Sequence, residues 1–457
     1  MRAHPRPRLF SPLRLSAYLI ELGFLVLAGF SSPPFLGGEI TLGPVVGGVT
    51  DSQGIVFVRL SEPGPVSVLF STDSYFRRDV HRSVEVQAEE GHDLTAQIPL
   101  TGLEPATTYT YRVLAGLRPR GIVNPYRFTT APPPNSLHDF DFAVFSDLSL
   151  VNVAALAYAS AGAFSPAFVM QIGDFDHSNP GIIPPPVTIE NWRRMHRRVL
   201  GDSASGQDFA KFVASTTPFY HIWDDHDYGA NNADRTAPWK DMATQVFLEY
   251  FAIPARPNPA GGLWYSFRYA QAEIFVLDLR SQRDPDDTPQ GPEKSMLNGG
   301  GLADSDQKTW LLDGLLASTA RWKFIISSSG WNPRGKPTDS WALFSDEQSE
   351  IVQFVRDRGI SGVVVLSGDL HSGGGIDDGT NAYFPELSVP ATNIHQQREC
   401  TGGECGTWSE GILTGIDPSG FALVRVRHDE TTGADRVLLQ TRGEDGSLRL
   451  EYLVELP

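Results

Sequence analysis

Cysteine is almost missing from this chain: two residues in 457, Cys400 and Cys405. That is too few to staple a fold. The pair sits in Glu399-Cys400-Thr401-Gly402-Gly403-Glu404-Cys405, close enough to bridge in an oxidising compartment and equally compatible with two free thiols. As a metal signal a C-x4-C alone is weak. Positive charge is also scarce, with 37 Lys and Arg against 54 Asp and Glu and a net charge of −17. Phosphate backbones and anionic membranes recruit basic faces, so no nucleic-acid-binding surface is expected. A phosphate substrate would need metal ions to supply the positive charge. No internal repeat or low-complexity tract stands out. What is there is ordinary for a soluble globular protein of two or three domains: 41% hydrophobic and 20% charged residues, with 44 Gly and 34 Pro marking many turns.

Long apolar runs are lacking too. The longest candidate, residues 15–30, is interrupted by Glu21, is preceded by Arg2, Arg6, Arg8 and Arg14 and is followed by Ser31-Ser32-Pro33-Pro34. Basic flank, short apolar core and small residues are the layout of an export signal. No clean A-x-A site or adjacent arginine pair accompanies it. Residues 1–36 are therefore expected to be a signal peptide or an uncleaved anchor that tethers the chain to a membrane, although the run is short for spanning a bilayer. A secreted, periplasmic or cell-surface location follows.

Residues 40–131 alternate as short strands, for example Ile55-Val56-Phe57-Val58-Arg59-Leu60 and Val66-Ser67-Val68-Leu69-Phe70, which suggests an antiparallel sandwich. Leu103-Glu104-Pro105-Ala106-Thr107-Thr108-Tyr109-Thr110-Tyr111-Arg112-Val113 resembles the tyrosine corner of fibronectin type III-like modules. Nothing in this module is catalytic; it is expected to be a spacer or lid. Pro132-Pro133-Pro134 then stiffen a linker. From residue 138 to 457 apolar runs alternate with helical periodicity, predicting an α/β layered core. Strands are expected at 140–145, 167–172, 273–277, 322–326 and 362–366, helices at 189–200, 239–251, 305–317 and 346–358, and closing strands after residue 420.

Four of these strands end in an acid: Ser146-Asp147, Gly173-Asp174, Leu277-Asp278 and Gly368-Asp369. In open α/β sheets the ligand crevice lies at the carboxyl ends of the strands, so these acids tend to converge. A further segment, Trp223-Asp224-Asp225-His226-Asp227, puts three carboxylates within four positions. Such repulsion needs water or a cation to neutralise it. If Asp147, Asp174, Asp225 and Asp369 meet, two cations of total charge about +4 or +5 would balance them. His177 and His371 follow closely behind two of the acids, at spacings that suit ligation.

The order Gly173-Asp174, Trp223-Asp224-Asp225-His226-Asp227, Leu277-Asp278-Leu279-Arg280, the 307–310 helix followed by Trp322-Lys323, and Ser367-Gly368-Asp369-Leu370-His371 resembles the metallophosphoesterases, and among them the alkaline phosphatase D (PhoD-like) family. The resemblance implies a four-layer α/β/β/α domain behind the fibronectin-III-like sandwich. It also implies a dinuclear site at which a metal-bridging hydroxide hydrolyses phosphate esters. By motif position Asp174 bridges the ions. Asp147, His177 and His371 lie on the first, Asp225 and Asp369 on the second. His226 is the catalytic histidine beside the leaving group, with Asp227 as its orienting partner. Family members often carry cysteine at the position of Asp147 and tyrosine at that of His177. Carboxylate and imidazole leave the first metal open among Fe, Mn and Zn, while the harder second site suits Ca, Mg or Mn.

Asn231 and Asn232 are expected to be plain loop amides, Arg280 to pair with Asp278, and His221 and His395 to be structural. The expected substrate is a small phosphate ester, mono- or diester, or a phospholipid. The competing possibility is a non-catalytic binding or adhesion protein with a degenerate phosphatase-like domain.

Overall fold

Strand residues with a period of two divide into two sets when both faces of a sheet are buried, and the second half of this chain shows the division clearly. The computed structural model describes residues 38–116, 125–149, 151–177, 188–214, 216–298, 307–393, 407–414 and 419–456. Ile274, Val276, Phe324, Ile326, Val364 and Leu366 belong to one buried core, while Phe275, Leu277, Ile325, Val363 and Val365 belong to another. Apart from Leu277, just past a strand end, these residues come from the adjacent parallel strands Ala272–Val276, Trp322–Ser327 and Val363–Ser367 of a seven-stranded sheet. The first set faces a nine-stranded sheet. Phe142 meets Phe324 edge-on at 5.3 Å, and Tyr220 stacks on Phe267 at 3.9 Å. The second set lies under helices Gln307–Ala317 and Ser345–Asp357.

The nine-stranded sheet has parallel strands Phe140–Phe145, Phe168–Ile172 and Phe219–Ile222 at its centre. Its other face is covered by helices Leu156–Gly162, Ile189–Arg197, Ala204–Phe209 and Lys240–Tyr250, through contacts such as Phe145 with Tyr158 at 4.7 Å and His221 with Phe247 at 5.2 Å. Helix, sheet, sheet, helix is the expected four-layer order. The closing strands Gly420–His428, Asp435–Gly443 and Leu448–Leu456 extend this sheet antiparallel to Phe140–Phe145. Helices Leu156–Gly162 and Ala204–Phe209 were not anticipated; at seven and six residues they are too short to establish a period.

The N-terminal strands form the expected sandwich around Val56, Val58, Val68, Ile98 and Tyr111. The Glu104 N–H donates to Tyr109 Oη at 2.9 Å, the predicted tyrosine corner. One layer of this sandwich is not separate, however. Strands Ile40–Gly47, Gln53–Leu60 and Thr95–Thr101 continue the nine-stranded sheet, with Gly47 in register with Phe219. A spacer or swinging lid is thereby replaced by a fixed flank. Residues 1–36, His395, Cys400 and Cys405 lie outside the described residues.

The flank is tied down by Asp93, which receives hydrogen bonds from Arg59 at 3.0 and 3.1 Å, from Arg197 at 2.6 Å and from the Tyr250 hydroxyl. Burial alone would raise the Asp93 carboxyl, but these donors outweigh it and hold the group below the usual carboxylate range. A depressed carboxyl stabilises the fold above its unfolded pKa, near 4, and the contribution fades as pH falls through the lower folded value. Asp93→Asn is expected to cost about 1–2 kcal/mol at pH 7, after allowing for partial solvent screening. Denaturant unfolding at pH 7 and pH 3 should show this difference shrinking in acid.

Candidate metal centre

Three of the four strand-end acids, Asp147, Asp174 and Asp369, meet together with Asp225, whereas Asp278 is not in the donor groups they form. Asp147, Asp174, Asp225 and Asp369 are 0%, 1%, 2% and 5% exposed, and each follows the carboxyl end of its strand. Asp147, Asp174, Asp369 and His371 have positive φ values of 54°, 50°, 60° and 52°, a region that costs a non-glycine residue about 1–2 kcal/mol. Four such residues in one crevice aim side chains that relaxed turns would point elsewhere. The glycines before two of them are steric requirements. A Cβ on Gly173 would lie 2.6 Å from Asp224 Cβ, and one on Gly368 would lie 2.6 Å from Ser146 Oγ and 2.7 Å from the Ser328 carbonyl oxygen.

Three overlapping sets of donor atoms result, each with its members within 4.8 Å of one another: Asp147 with Asp369 and His371; Asp174 with His177 and His371; and Asp174 with Asp225 and His226. Every metal-ligating residue expected from the sequence falls in this network. His371 Nε2 lies 3.3 Å from Asp147 Oδ1 and 3.6 Å from Asp369 Oδ1, and His177 Nε2 lies 3.6 Å from Asp174 Oδ2. The His177 ring stacks on that of His226 at 3.8 Å and meets that of His371 at 4.8 Å. Carboxylates thus form the floor. The imidazoles, with side chains of His177 and His371 22% and 31% exposed, line the mouth.

Four buried atoms in this network, Asp147 Oδ1, Asp174 Oδ2, His177 Nε2 and His371 Nε2, make no hydrogen bond. They face one another as two loose pairs, His371 with Asp147 and His177 with Asp174, and all four converge on one crevice. Electrostatics agree. Burial, then the carboxylates of Asp225, Asp224, Asp147 and Asp227, push the Asp174 carboxyl well above its usual range. Burial likewise raises Asp369, even beside Lys336. Burial depresses His177 to about 4, assisted by His226 and His371. His371 moves the other way: burial would lower it, but Asp147 raises it to about 9, while His371 in turn holds the buried Asp147 below the usual range. Oxygen and imidazole donors of this kind fit a first-row transition-metal dication.

Some placements differ from those expected. Asp369 groups with Asp147 and His371, and it also shares with Asp225, its expected companion on the second ion, a position within 4 Å of Arg280 Nη2. Asp227 does not orient the His226 ring; its oxygens accept main-chain N–H groups of Phe175 at 2.9 Å, Asp176 at 3.4 Å and Asp224 at 3.2 Å. These bonds tie the Asp174 turn to the turn Asp225–Tyr228. Burial raises the Asp227 carboxyl to about 8. Asn231 and Asn232 bond one another, and the Asn232 N–H donates to Asp225 Oδ2 at 2.7 Å. His221 is structural, packed among Phe175, Phe247 and Phe251 with Nδ1 2.9 Å from the Gln171 carbonyl oxygen.

Arg280 is the largest departure. Asp278 instead accepts from Trp223 Nε1 at 2.7 Å and from the Leu263 N–H at 2.9 Å. The guanidinium of Arg280, fully buried, forks onto Asp224 with two bonds of 2.7 Å and onto Asp339 at 2.6 and 3.0 Å. It also lies 3.8 Å from Asp225 and 3.6 Å from Asp369. Lys336, which sequence reasoning missed, places its ammonium on Asp369 and 3.5 Å from Asp339. Asp224, an acid inside the W-D-D-H-D motif and in need of a counter-charge, was the signal that a buried arginine should be sought.

Comparison with known proteins adds to this geometry. The chain matches the family model for PhoD-like phosphatase over residues 166–391 and the model for the N-terminal domain of PhoD-like phosphatase over residues 31–132. Alkaline phosphatase D of Bacillus subtilis (strain 168) is 25% identical over 407 residues, covering 75% of this chain. The match spans 65% of that protein's length. Among solved structures, PhoD superposes with a TM-score of 0.70 at 19% identity over 94% of both chains. A purple acid phosphatase from yellow lupin (Lupinus luteus) seeds superposes with a TM-score of 0.61 at 14% identity, over 90% of this chain and 73% of its own. At these identities the structural likeness speaks for the fold.

Proposed function

The chain belongs to the PhoD-like phosphatase family, and we propose that it hydrolyses phosphate esters at a two-cation site floored by Asp147, Asp174, Asp225 and Asp369. The observation that carries this proposal is the convergence, from three separate strand ends, of four buried donor atoms that have one another as partners. Asp147, His177 and His371 would hold one ion and Asp225 the other, with Asp174 reaching both and Asp369 at hand to either. Fe, Mn or Zn suits the first donor set and Ca, Mg or Mn the oxygen-rich second. When bound, such ions supply charge to the phosphoryl oxygens and bring the pKa of an attacking water toward neutrality.

The chain's own residues supply the remainder. Main-chain N–H of His226 donates to Asp174 Oδ1 at 3.2 Å and Asp225 Oδ1 at 2.9 Å, so the turn that carries this histidine is tied to two floor carboxylates. Its half-buried imidazole, stacked on His177, is the proton donor to the departing oxygen. Asp227 acts as a positioning residue through the strand-end N–H groups it accepts. His226→Ala is expected to keep the metal content and lower kcat by about 10²–10⁴-fold; metal loss in this variant would make His226 a ligand instead.

Substrates are small mono- or diesters or phospholipids, with no nucleic-acid partner, in keeping with the net charge of −17. Export is proposed from the layout of residues 1–36. No helix among the described residues is long and apolar enough to cross a membrane. Metal analysis of the purified protein, with chromogenic mono- and diester hydrolysis before and after chelation, tests the proposal. Protein that holds no metal, or that hydrolyses neither ester when metal-replete, would leave the non-catalytic alternative standing.

A further inference from the structure

Two kinds of cation stand behind the floor carboxylates, and they are built differently. Arg280 is fully buried and clamped by two carboxylates, and Arg283 Nη1 meets Asp339 at 2.6 Å. These arginines contact Asp224 and Asp339, and Arg283 also pairs with Asp286. Asp225 and Asp369 remain, 3.8 and 3.6 Å from Arg280, and among the described residues the ammonium in direct contact with Asp369 is that of Lys336, which also lies 3.5 Å from Asp339. Lys336 sits in the irregular loop after strand Trp322–Ser327, and its side chain is 17% exposed. A four-carbon stem on such a loop can swing to solvent, as a forked and buried guanidinium cannot.

From this asymmetry we infer that Lys336 is a displaceable counter-cation that competes with the second metal ion for Asp369. The inference rests on the two-cation site proposed above. With Lys336 in place, a dication beside Asp225 and Asp369 would bring three positive charges to two negative ones. With Lys336 turned away, the dication and the two carboxylates balance. An ammonium and a metal ion within a few ångströms of each other in a buried crevice repel strongly, so one leaves as the other enters. The second ion therefore binds more weakly than the first and exchanges more readily, and Lys336 acts as a positioning residue that sets its affinity.

The test is calorimetric titration of the chelator-stripped, full-length protein with Mn²⁺ and, separately, Ca²⁺. One tight and one weak step are expected for the unaltered chain. In Lys336→Met the weak step should tighten about tenfold or more, because a charge a few ångströms from the ion has been removed. Lys336→Arg, which retains the charge, should leave the weak step weak. An independent measurement needs no variant: labelling of Lys336 by an amine-specific reagent, read by peptide mass spectrometry, should accelerate when Mn²⁺ saturates the protein. A second step of unchanged or weaker affinity in Lys336→Met, or labelling that slows or stays constant on saturation, overturns the competition and leaves the phosphoesterase proposal standing. Failure of the unaltered chain to bind either ion overturns both.

Discussion

Asp174→Asn is expected to abolish phosphoester hydrolysis, with kcat/KM falling by at least about 10³-fold, or ~4 kcal/mol. Asp174 is the carboxylate common to two of the three donor sets, one with His177 and His371 and one with Asp225 and His226. The amide keeps the volume and one acceptor oxygen but removes the charge, so the proposed site would lose a carboxylate that reaches two of its donor groups. Metal content by elemental analysis should fall together with the rate. A second readout separates this from misfolding. Burial and the surrounding carboxylates make an ionised Asp174 costly in the metal-free protein, so the neutral amide relieves repulsion. The thermal midpoint of chelator-stripped Asp174→Asn should be equal to or above that of the stripped parent. A variant that retains its metals and its turnover would remove Asp174 from the centre of the site.

Arg280→Met carries the largest expected effect on stability. The guanidinium lies between Asp224 and Asp339, and neighbouring Asp225 and Asp369 add to the negative field. Burial favours protonation of Asp339, but Arg280, then Arg283 and Lys336, hold its carboxyl well below the usual range. Removing one member of a buried ion network typically costs about 3–5 kcal/mol, because the remaining charges are left desolvated without a partner. Against a typical margin of about 5–15 kcal/mol, the variant should show a large drop in denaturant midpoint. Arg280→Lys should recover little, since an ammonium cannot fork onto two carboxylates. The triple variant Arg280→Met with Asp224→Asn and Asp339→Asn should be less destabilised than the single one. A single variant as stable as its parent would show that the network does not hold the fold together.

Much of this molecule was visible in its residues. Apolar runs such as Gly362-Val363-Val364-Val365-Leu366 announce strands buried on both faces, and the acids after them announce where a crevice opens, because chain direction in parallel strands places their ends together. His177 and His371 were recoverable from their offsets to Asp174 and Asp369. Other features leave no local trace. Arg280 lies 56 residues from Asp224 and 59 from Asp339, and a contact at that separation has no periodicity to reveal it. The grouping of Asp369 with Asp147 depends on a left-handed backbone at four positions, which side-chain identity alone does not disclose. Asp227 looked like a partner of His226 because the two are adjacent in sequence, yet neighbours on a turn point apart, and its carboxylate reaches the Asp174 loop instead.

The merging of the N-terminal strands with the main sheet has a practical consequence for anyone who would shorten this protein. Cutting the chain after the proline linker would remove Gly47 from beside Phe219, at the start of the strand that leads into W-D-D-H-D, and would uncover that border of the nine-stranded sheet. Uncovered borders of that kind recruit other chains. A truncated version would therefore be prone to aggregate before its chemistry could be measured.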